Sequence, residues 1–396
     1  MTGAAKDHAE SREQVESQPR LWVERLRLTD FRNYGTLEML LDQRPVALVG
    51  NNGAGKTNIL EAVSLLAAGH GLRRAPYGEI ARHAGNGGWA VAARIQGADG
   101  AHDIGTGLAG EAGEGGGRQV RIDGAATRGT ARLGELVRMV WLTPAMDGLF
   151  TGPASDRRRF LDRLIQSLDP GYRSQAARFE RAMRQRNRLF ETHETRSAVF
   201  EGLETQLAEA GVAMAAARIS AVEQLAALVA ERADEARERP FPWATLALEG
   251  LLEELLAEEP ALEVEDVYRR KLTENRERDR AAKRTLEGPH RSDLIVGYGP
   301  KNVPARACST GEQKALLVGL VLAHSTLVKQ QFGGLAPLLL LDEIPAHLDA
   351  GRRQALFGEI ARLQIQAWMT GTDRAVFEPL GASAQLFTVA DGGVRQ

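Results

Sequence analysis

Two kinds of hydrophobic spacing divide this chain. Short apolar runs stand at 45–49, 137–142 (interrupted by Arg138) and 337–341, each read as a buried strand. Stretch 22–28 alternates instead, with Trp22, Glu24, Leu26 and Leu28 on one side, and a second strand is expected over 37–41. Segments 89–95 and 118–122 read as hairpin pieces around a flexible tip, the glycine run at 113–117. Helical spacing begins after residue 57, where Ile59, Leu60, Ala62, Val63, Leu65 and Leu66 form one apolar face, and it returns over 315–322.

The period changes again between 169 and 237. Tyr172, Ala176, Phe179, Met183 and Phe190, then Phe200, Leu203, Leu207, Ala210, Met214, Ala217 and Ala221, make a heptad seam. A helix over 200–237 would be about 55 Å long at ~1.5 Å per residue. Pro240 and Pro242 stop it; a return strand over 241–248 and helices over 251–256 and 266–285 fold the arm back. Four parts are expected: a disordered tail at 1–20, the first part of an α/β head at 21–168, a helical arm at 169–286, and the rest of the head at 287–396.

Composition narrows the class. With 396 residues, 43% hydrophobic and 26% charged, the chain can bury a large core. No unbroken apolar run approaches a membrane span and the first twenty residues lack an apolar signal core, so a cytoplasmic protein is expected. The single cysteine, Cys308, excludes an internal disulfide framework and a cysteine-built zinc site. A net charge of −2 gives no global attraction to nucleic acid, so any such binding must rest on local basic patches.

The chemistry is concentrated after the 45–49 strand. Gly50-Asn51-Asn52-Gly53-Ala54-Gly55-Lys56-Thr57 is a Gly-x-x-x-x-Gly-Lys-Thr loop between a strand and a helix, the arrangement that wraps polyphosphate. Its glycines allow positive φ and close approach of backbone N–H groups; Lys56 would reach the outer phosphates and Thr57 would ligate Mg²⁺. The 337–341 strand ends in Asp342 and Glu343, placed to hold the metal shell and to orient the attacking water. Ser309, Thr310, Gly311 and Glu312 open a second helix whose N-terminus is suited to an anion. One phosphate cannot readily be wrapped by both starts, so the second is assigned to a phosphate held by another copy. Ser155 or Asp156 is expected to cap a helix carrying Arg157, Arg158 and Arg159.

Taken in order, these residues resemble the ATPase heads of the ABC and SMC class with an inserted arm. Phe31-Arg32-Asn33-Tyr34, 50–58, 153–162, Gly288-Pro289-His290-Arg291-Ser292-Asp293-Leu294, 309–314 and 338–349 are similar to the blocks of the RecF family of bacterial recombination mediators. The resemblance spans 26–373. It implies an ATP-dependent homodimer that engages duplex, gapped or junction DNA without sequence specificity, and that works with RecO and RecR to load RecA in repair and the SOS response. It also implies that Arg32 and Asn33 flank the base, that Ser309 and Gly311 meet the partner copy's γ-phosphate, and that Asp349 belongs to a dimer-contact loop. Arg73, Arg74, Arg157, Arg158 and Arg159 are the candidate DNA contacts.

Two departures stand out. The stretch 368–373 lacks the switch histidine of transporter ATPases, and 136–143 lacks the glutamine that usually completes the Mg²⁺ shell. A long-armed SMC-like or RecN-like structural ATPase is the alternative, disfavoured by the short arm. A nuclease of the overcoming-lysogenisation type would need a carboxylate-rich domain for which no segment remains.

Overall fold

The computed structural model describes residues 19–109, 117–192, 196–234, 241–390 and 392–396. The expectations for the tail and the glycine-run tip lie outside these residues, except at Pro19, Arg20 and Gly117.

The chain starts with β1 (Trp22–Phe31) and β2 (Tyr34–Leu40), then β3 (Val46–Val49) and α1 (Lys56–Ser64). β4 (Trp89–Gly97), β5 (Gly100–Leu108), β6 (Gln119–Ile122) and β7 (Ala125–Thr127) follow, then α2 (Ala131–Leu136), β8 (Met139–Leu142) and α3 (Ala154–Leu168). The arm comprises α4 (Tyr172–Glu191), α5 (Ser197–Asp234), β9 (Ala244–Glu249), α6 (Leu251–Glu258), α7 (Ala261–Glu274) and α8 (Arg276–Ala282). β10 (Asp293–Tyr298), β11 (Val303–Pro304), α9 (Thr310–Gln331), β12 (Leu338–Leu341), α10 (Ala350–Leu363), β13 (Ala367–Gly371), β14 (Gln385–Ala390) and β15 (Gly393–Arg395) complete it.

Two six-stranded sheets enclose α1. The antiparallel sheet runs β2-β1-β4-β5-β6-β7 and the core sheet β15-β14-β3-β13-β12-β8, parallel except for its β15 edge. Every residue of β3, β12 and β13 is buried, as strands covered on both faces must be. Their side chains sort by the two-residue period. Val46, Leu48, Leu338, Leu340 and Trp368 join α1 and the antiparallel sheet in one core, while Ala47, Val49, Leu339, Leu341 and Met369 join α3, α9, α10 and the arm in the other. The C-terminal ends of β3, β12 and β13 therefore come out side by side, which is where open α/β sheets hold ligands.

Several expectations change in detail. β5 is an addition, because its glycines read as loop; Gly107 lies so close to the Trp89 carbonyl that no Cβ fits there. Pro153, rather than Ser155 or Asp156, is the N-cap of α3, and no side chain caps it, because the chain is already helical from Ala154. The helix expected over 266–285 is two helices meeting at Asn275. The return strand exists as β9 but pairs with β10, giving a small sheet of order β11-β10-β9 at the base of the arm.

α5 is long, 38 residues, yet it is no isolated two-helix seam: it packs on α4, α6, α7, β9, α3 and α9. Its Ser197–Ala230 portion is long and apolar enough to cross a membrane, by length and composition alone. A search for uninterrupted apolar runs misses it. Half of the most apolar window is buried inside the protein, and the helix carries two fully paired buried charges. Glu204 meets Arg186 and Arg276, and Arg218 meets Asp162. Arg186 also donates to Asp279 at 2.6 Å and to the Leu272 carbonyl at 2.7 Å, tying α4 to α7 and α8.

Candidate nucleotide site

Two glycines shape the loop between β3 and α1. Gly55 has φ 110°, and a Cβ there would lie 2.5 Å from the Tyr34 hydroxyl and 2.6 Å from the Asn33 amide. Gly50 packs against the Val389 carbonyl with no room for any side chain. The loop thus stays against β14 and the β1–β2 turn, with Asn51, Asn52 and Gly53 exposed at its tip.

Lys56 is buried at the mouth of the loop, and its Nζ donates to the Gly50 carbonyl at 2.6 Å and the Asn51 carbonyl at 2.9 Å. Burial lowers its pKa, against the pull of Glu343 and Asp342. Both carboxylates therefore sit near the cation that would meet the outer phosphates.

Across the site, the Thr57 hydroxyl donates to Asp342, 2.9 Å from Oδ1 and 3.2 Å from Oδ2. Residues 285 positions apart are thus brought oxygen to oxygen. That pair suits a small hard cation such as Mg²⁺, which binds through few protein oxygens and completes its shell with phosphates and water. No cluster of three or more His, Cys, Asp or Glu side chains that could hold a metal occurs among the described residues.

Thr370 of β13 is a site residue that the sequence did not single out. Its hydroxyl donates to Asp342 Oδ1 at 2.8 Å and accepts the Glu343 backbone N–H at 2.8 Å. One hydroxyl therefore fixes both acids. Glu343 has φ 56°, a left-handed conformation that a non-glycine residue keeps only where its surroundings hold it. The only sequence signal was a polar residue at the end of an otherwise apolar strand. The segment without the expected glutamine ends at Thr143, directly after β8, where the Asp342 N–H meets the Leu142 carbonyl at 2.9 Å.

Arg32 and Asn33 separate in the fold. The Arg32 guanidinium is turned onto Glu61, at 2.8 and 2.7 Å, and the Glu79 carbonyl at 2.7 Å. It is a strut beneath the loop rather than an open platform. Asn33 lies over the loop, donating to the Ala54 carbonyl at 3.3 Å and accepting from Asn58 at 2.7 Å.

Ser309, Thr310 and Gly311 are exposed. Ser309 caps α9 in a reciprocal box: its hydroxyl accepts the Glu312 N–H, and Glu312 Oε2 accepts the Ser309 N–H at 2.9 Å. Lys301 and Ser309 hold the Glu312 carboxyl far down, to a pKa of about 2. Asp349 caps α10 by accepting the Arg352 N–H, and Arg352 donates to the Gly311 carbonyl at 3.2 Å, so the two starts form one surface.

The basic candidates also divide. Arg157 makes a two-pronged pair with Asp293 at 2.8 and 2.7 Å, and Arg158 donates to the Ser292 carbonyl at 2.7 Å. Arg157 is therefore a clasp between α3 and β10 and is withdrawn from the DNA-contact set. Arg73, Arg74 and Arg159 are all exposed, Arg73 donating to Asn58 and Glu61 and Arg159 pairing with Asp156 at 2.9 Å on its own helix. His290, in the 288–294 block, packs against Phe179 and is pushed down to a pKa of about 4 chiefly by burial.

A glycine loop, a threonine and a strand-end acid pair on a parallel sheet, with a capped helix start after an inserted arm, define a P-loop ATPase head of the ABC type. The model of the RecF/RecN/SMC N terminal domain matches residues 22–394. The chain is 54% identical to the DNA replication and repair protein RecF of Mesorhizobium japonicum over 372 residues, 94% of this chain and 97% of that protein. It is 50% identical to RecF of Brucella suis over 389 residues, 98% of each. The solved structure of the recombination mediator protein RecF-ATP shares the fold, with a TM-score of 0.82 at 20% identity over 97% of this chain and 99% of that one. An Smc head domain from Pyrococcus furiosus shares it more distantly, with a TM-score of 0.53 at 16% identity over 95% of each. The chain belongs to the RecF family of DNA replication and repair proteins.

Proposed function

We propose that this protein is an ATP-dependent switch that closes as a homodimer on DNA during recombinational repair. The contact between Thr57 and Asp342 carries the reading, because it joins the phosphate loop to the acidic strand. Gly50, Asn51, Asn52, Gly53, Ala54, Gly55 and Lys56 would bind the phosphates of ATP, and Asn33 would lie beside the base. Mg²⁺, held by Thr57 and Asp342, would neutralise charge on the phosphates. Glu343 would align the water and accept its proton, giving slow hydrolysis that reopens the dimer.

Ser309, Thr310 and Gly311 would contact the γ-phosphate bound by the second copy, with Asp349 in the adjoining contact loop. Their exposure supports this, since nothing among the described residues covers them. The repair and replication role of the family supports DNA as the partner. Duplex, gapped or junction DNA would be held by its backbone through exposed arginines such as Arg74 and Arg159, with RecO and RecR as cytoplasmic partners in loading RecA and in SOS induction.

Fluorescence anisotropy with labelled duplexes of unrelated sequence tests the DNA half. The expected result is ATP-dependent binding, similar for all sequences, that weakens linearly on a log–log plot against salt. Binding that ignores ATP and salt would refute it.

A further inference from the structure

At the end of α1 remote from Lys56, about 13 Å along the helix at ~1.5 Å per residue, a cavity of about 320 Å³ opens between head and arm. Its walls are the turn after α1, α2, β8, the C-terminal half of α3 and the start of α4. Arg138, Arg163 and Arg173 face into it, and no aspartate or glutamate lines it. None of the three has an ion-pair partner among the described residues.

The donors around it are unmet as well. Arg138 Nε, Arg173 Nη1 and Trp141 Nε1 are buried and make no hydrogen bond. Leaving such groups dry costs on the order of 1–3 kcal/mol each, so native proteins rarely gather three around one space. Aromatic rings hold the guanidinium groups in place: Arg138 lies 3.3 Å over the Phe332 ring and Arg163 5.1 Å over the Trp141 ring. Burial, then the neighbouring Arg74, pushes Arg163 down to a pKa of about 10. His70 nearby is lowered by burial and by Arg173, Arg74 and Arg118, the sign of an uncompensated positive field.

We propose that this cavity is a second anion site, separate from the phosphate loop, that takes a small organic phosphate. Water could satisfy the donors but would leave three cations unbalanced. Guanidinium forks match phosphate oxygens in pairs. The volume lies at the lower end of ligand pockets, room for a phosphate with an attached ring and too little for a duplex. Val137, Met139 and Ala177 line the space left for that ring. A ligand there touches both the turn after the nucleotide helix and the first arm helix, so occupancy would tie arm position to the head.

The test is calorimetric titration of the Lys56→Ala protein with inorganic pyrophosphate and with AMP, the phosphate loop being disabled. One saturable site per chain is expected, weakened at least about tenfold in Arg173→Gln and in Arg163→Met, the loss of one charge-assisted contact. AMP is expected to bind more tightly than pyrophosphate, and the reverse order would contradict an organic ligand. Should Arg163→Met not fold, Ala131→Glu at the rim supplies an internal carboxylate and is expected to lower binding equally without lowering the melting temperature. Absence of saturable binding, binding indifferent to these substitutions, or arginine variants that lose only duplex DNA affinity would overturn the proposal.

Discussion

Both halves of the proposed nucleotide pocket are helix starts, yet the fold treats them oppositely. The start of α1 is walled in: Lys56 is buried, Thr57 meets Asp342, and Asn33 closes over the loop. The start of α9 stands in solvent and is capped from within, Ser309 accepting the Glu312 N–H and Glu312 the Ser309 N–H. A buried start can select one ligand by shape, whereas an exposed, self-capped start keeps its helix stable while waiting for a partner to arrive. Under the proposed mechanism, the difference assigns ATP binding to one chain and closure to two.

Substitutions break this comparison at different points. The largest effect belongs to Glu343→Gln, which keeps the shape but removes the proposed base; hydrolysis should fall about 10²–10⁴-fold, while ATP-bound dimers on DNA last longer in a dissociation assay. Lys56→Ala strikes the buried start, and equilibrium dialysis should show ATP affinity reduced roughly 10- to 100-fold. Ser309→Arg strikes the exposed start alone, so ATP affinity of the monomer should stay within about twofold.

Thr370→Val sharpens the buried side. It removes the hydroxyl shared by Asp342 and the Glu343 N–H, at a cost of about 1–3 kcal/mol in denaturant unfolding. The smallest effect is in pH dependence. His324 is wholly buried, its Nε2 2.7 Å from Ser167 Oγ, and its pKa is lowered to about 3, while that of His290 is about 4. Both stay neutral in the fold while the unfolded chain takes protons below about pH 6.5. Their stabilisation is complete above that pH and is lost as pH falls toward the folded values. His324→Gln should reduce the pH slope of unfolding free energy between pH 6 and 4 by about one proton; an unchanged slope would contradict this.

What the sequence made legible was local. The glycine loop and the strand ending in Asp342 and Glu343 each lie within a few residues, so spacing revealed them. Thr370 did not stand out, because its role exists only once β13 lies between β3 and β12. Arg157 misled for the same reason: its partner Asp293 is 136 residues away, and three adjacent arginines look alike until packing separates them. The arginine-lined cavity draws on five segments, and no single segment advertises it. Capping at α3 was misplaced by assuming that a polar side chain, rather than Pro153, marks the start.

Sedimentation velocity with ATP and Mg²⁺, with and without duplex DNA, tests the division of labour between the two helix starts most directly. Wild-type protein should shift from monomer to dimer in at least one condition, Glu343→Gln should shift more, and Lys56→Ala and Ser309→Arg should both remain monomeric although only the first loses ATP. A wild type that stays monomeric throughout, or a Ser309→Arg protein that dimerises like the wild type, would contradict it.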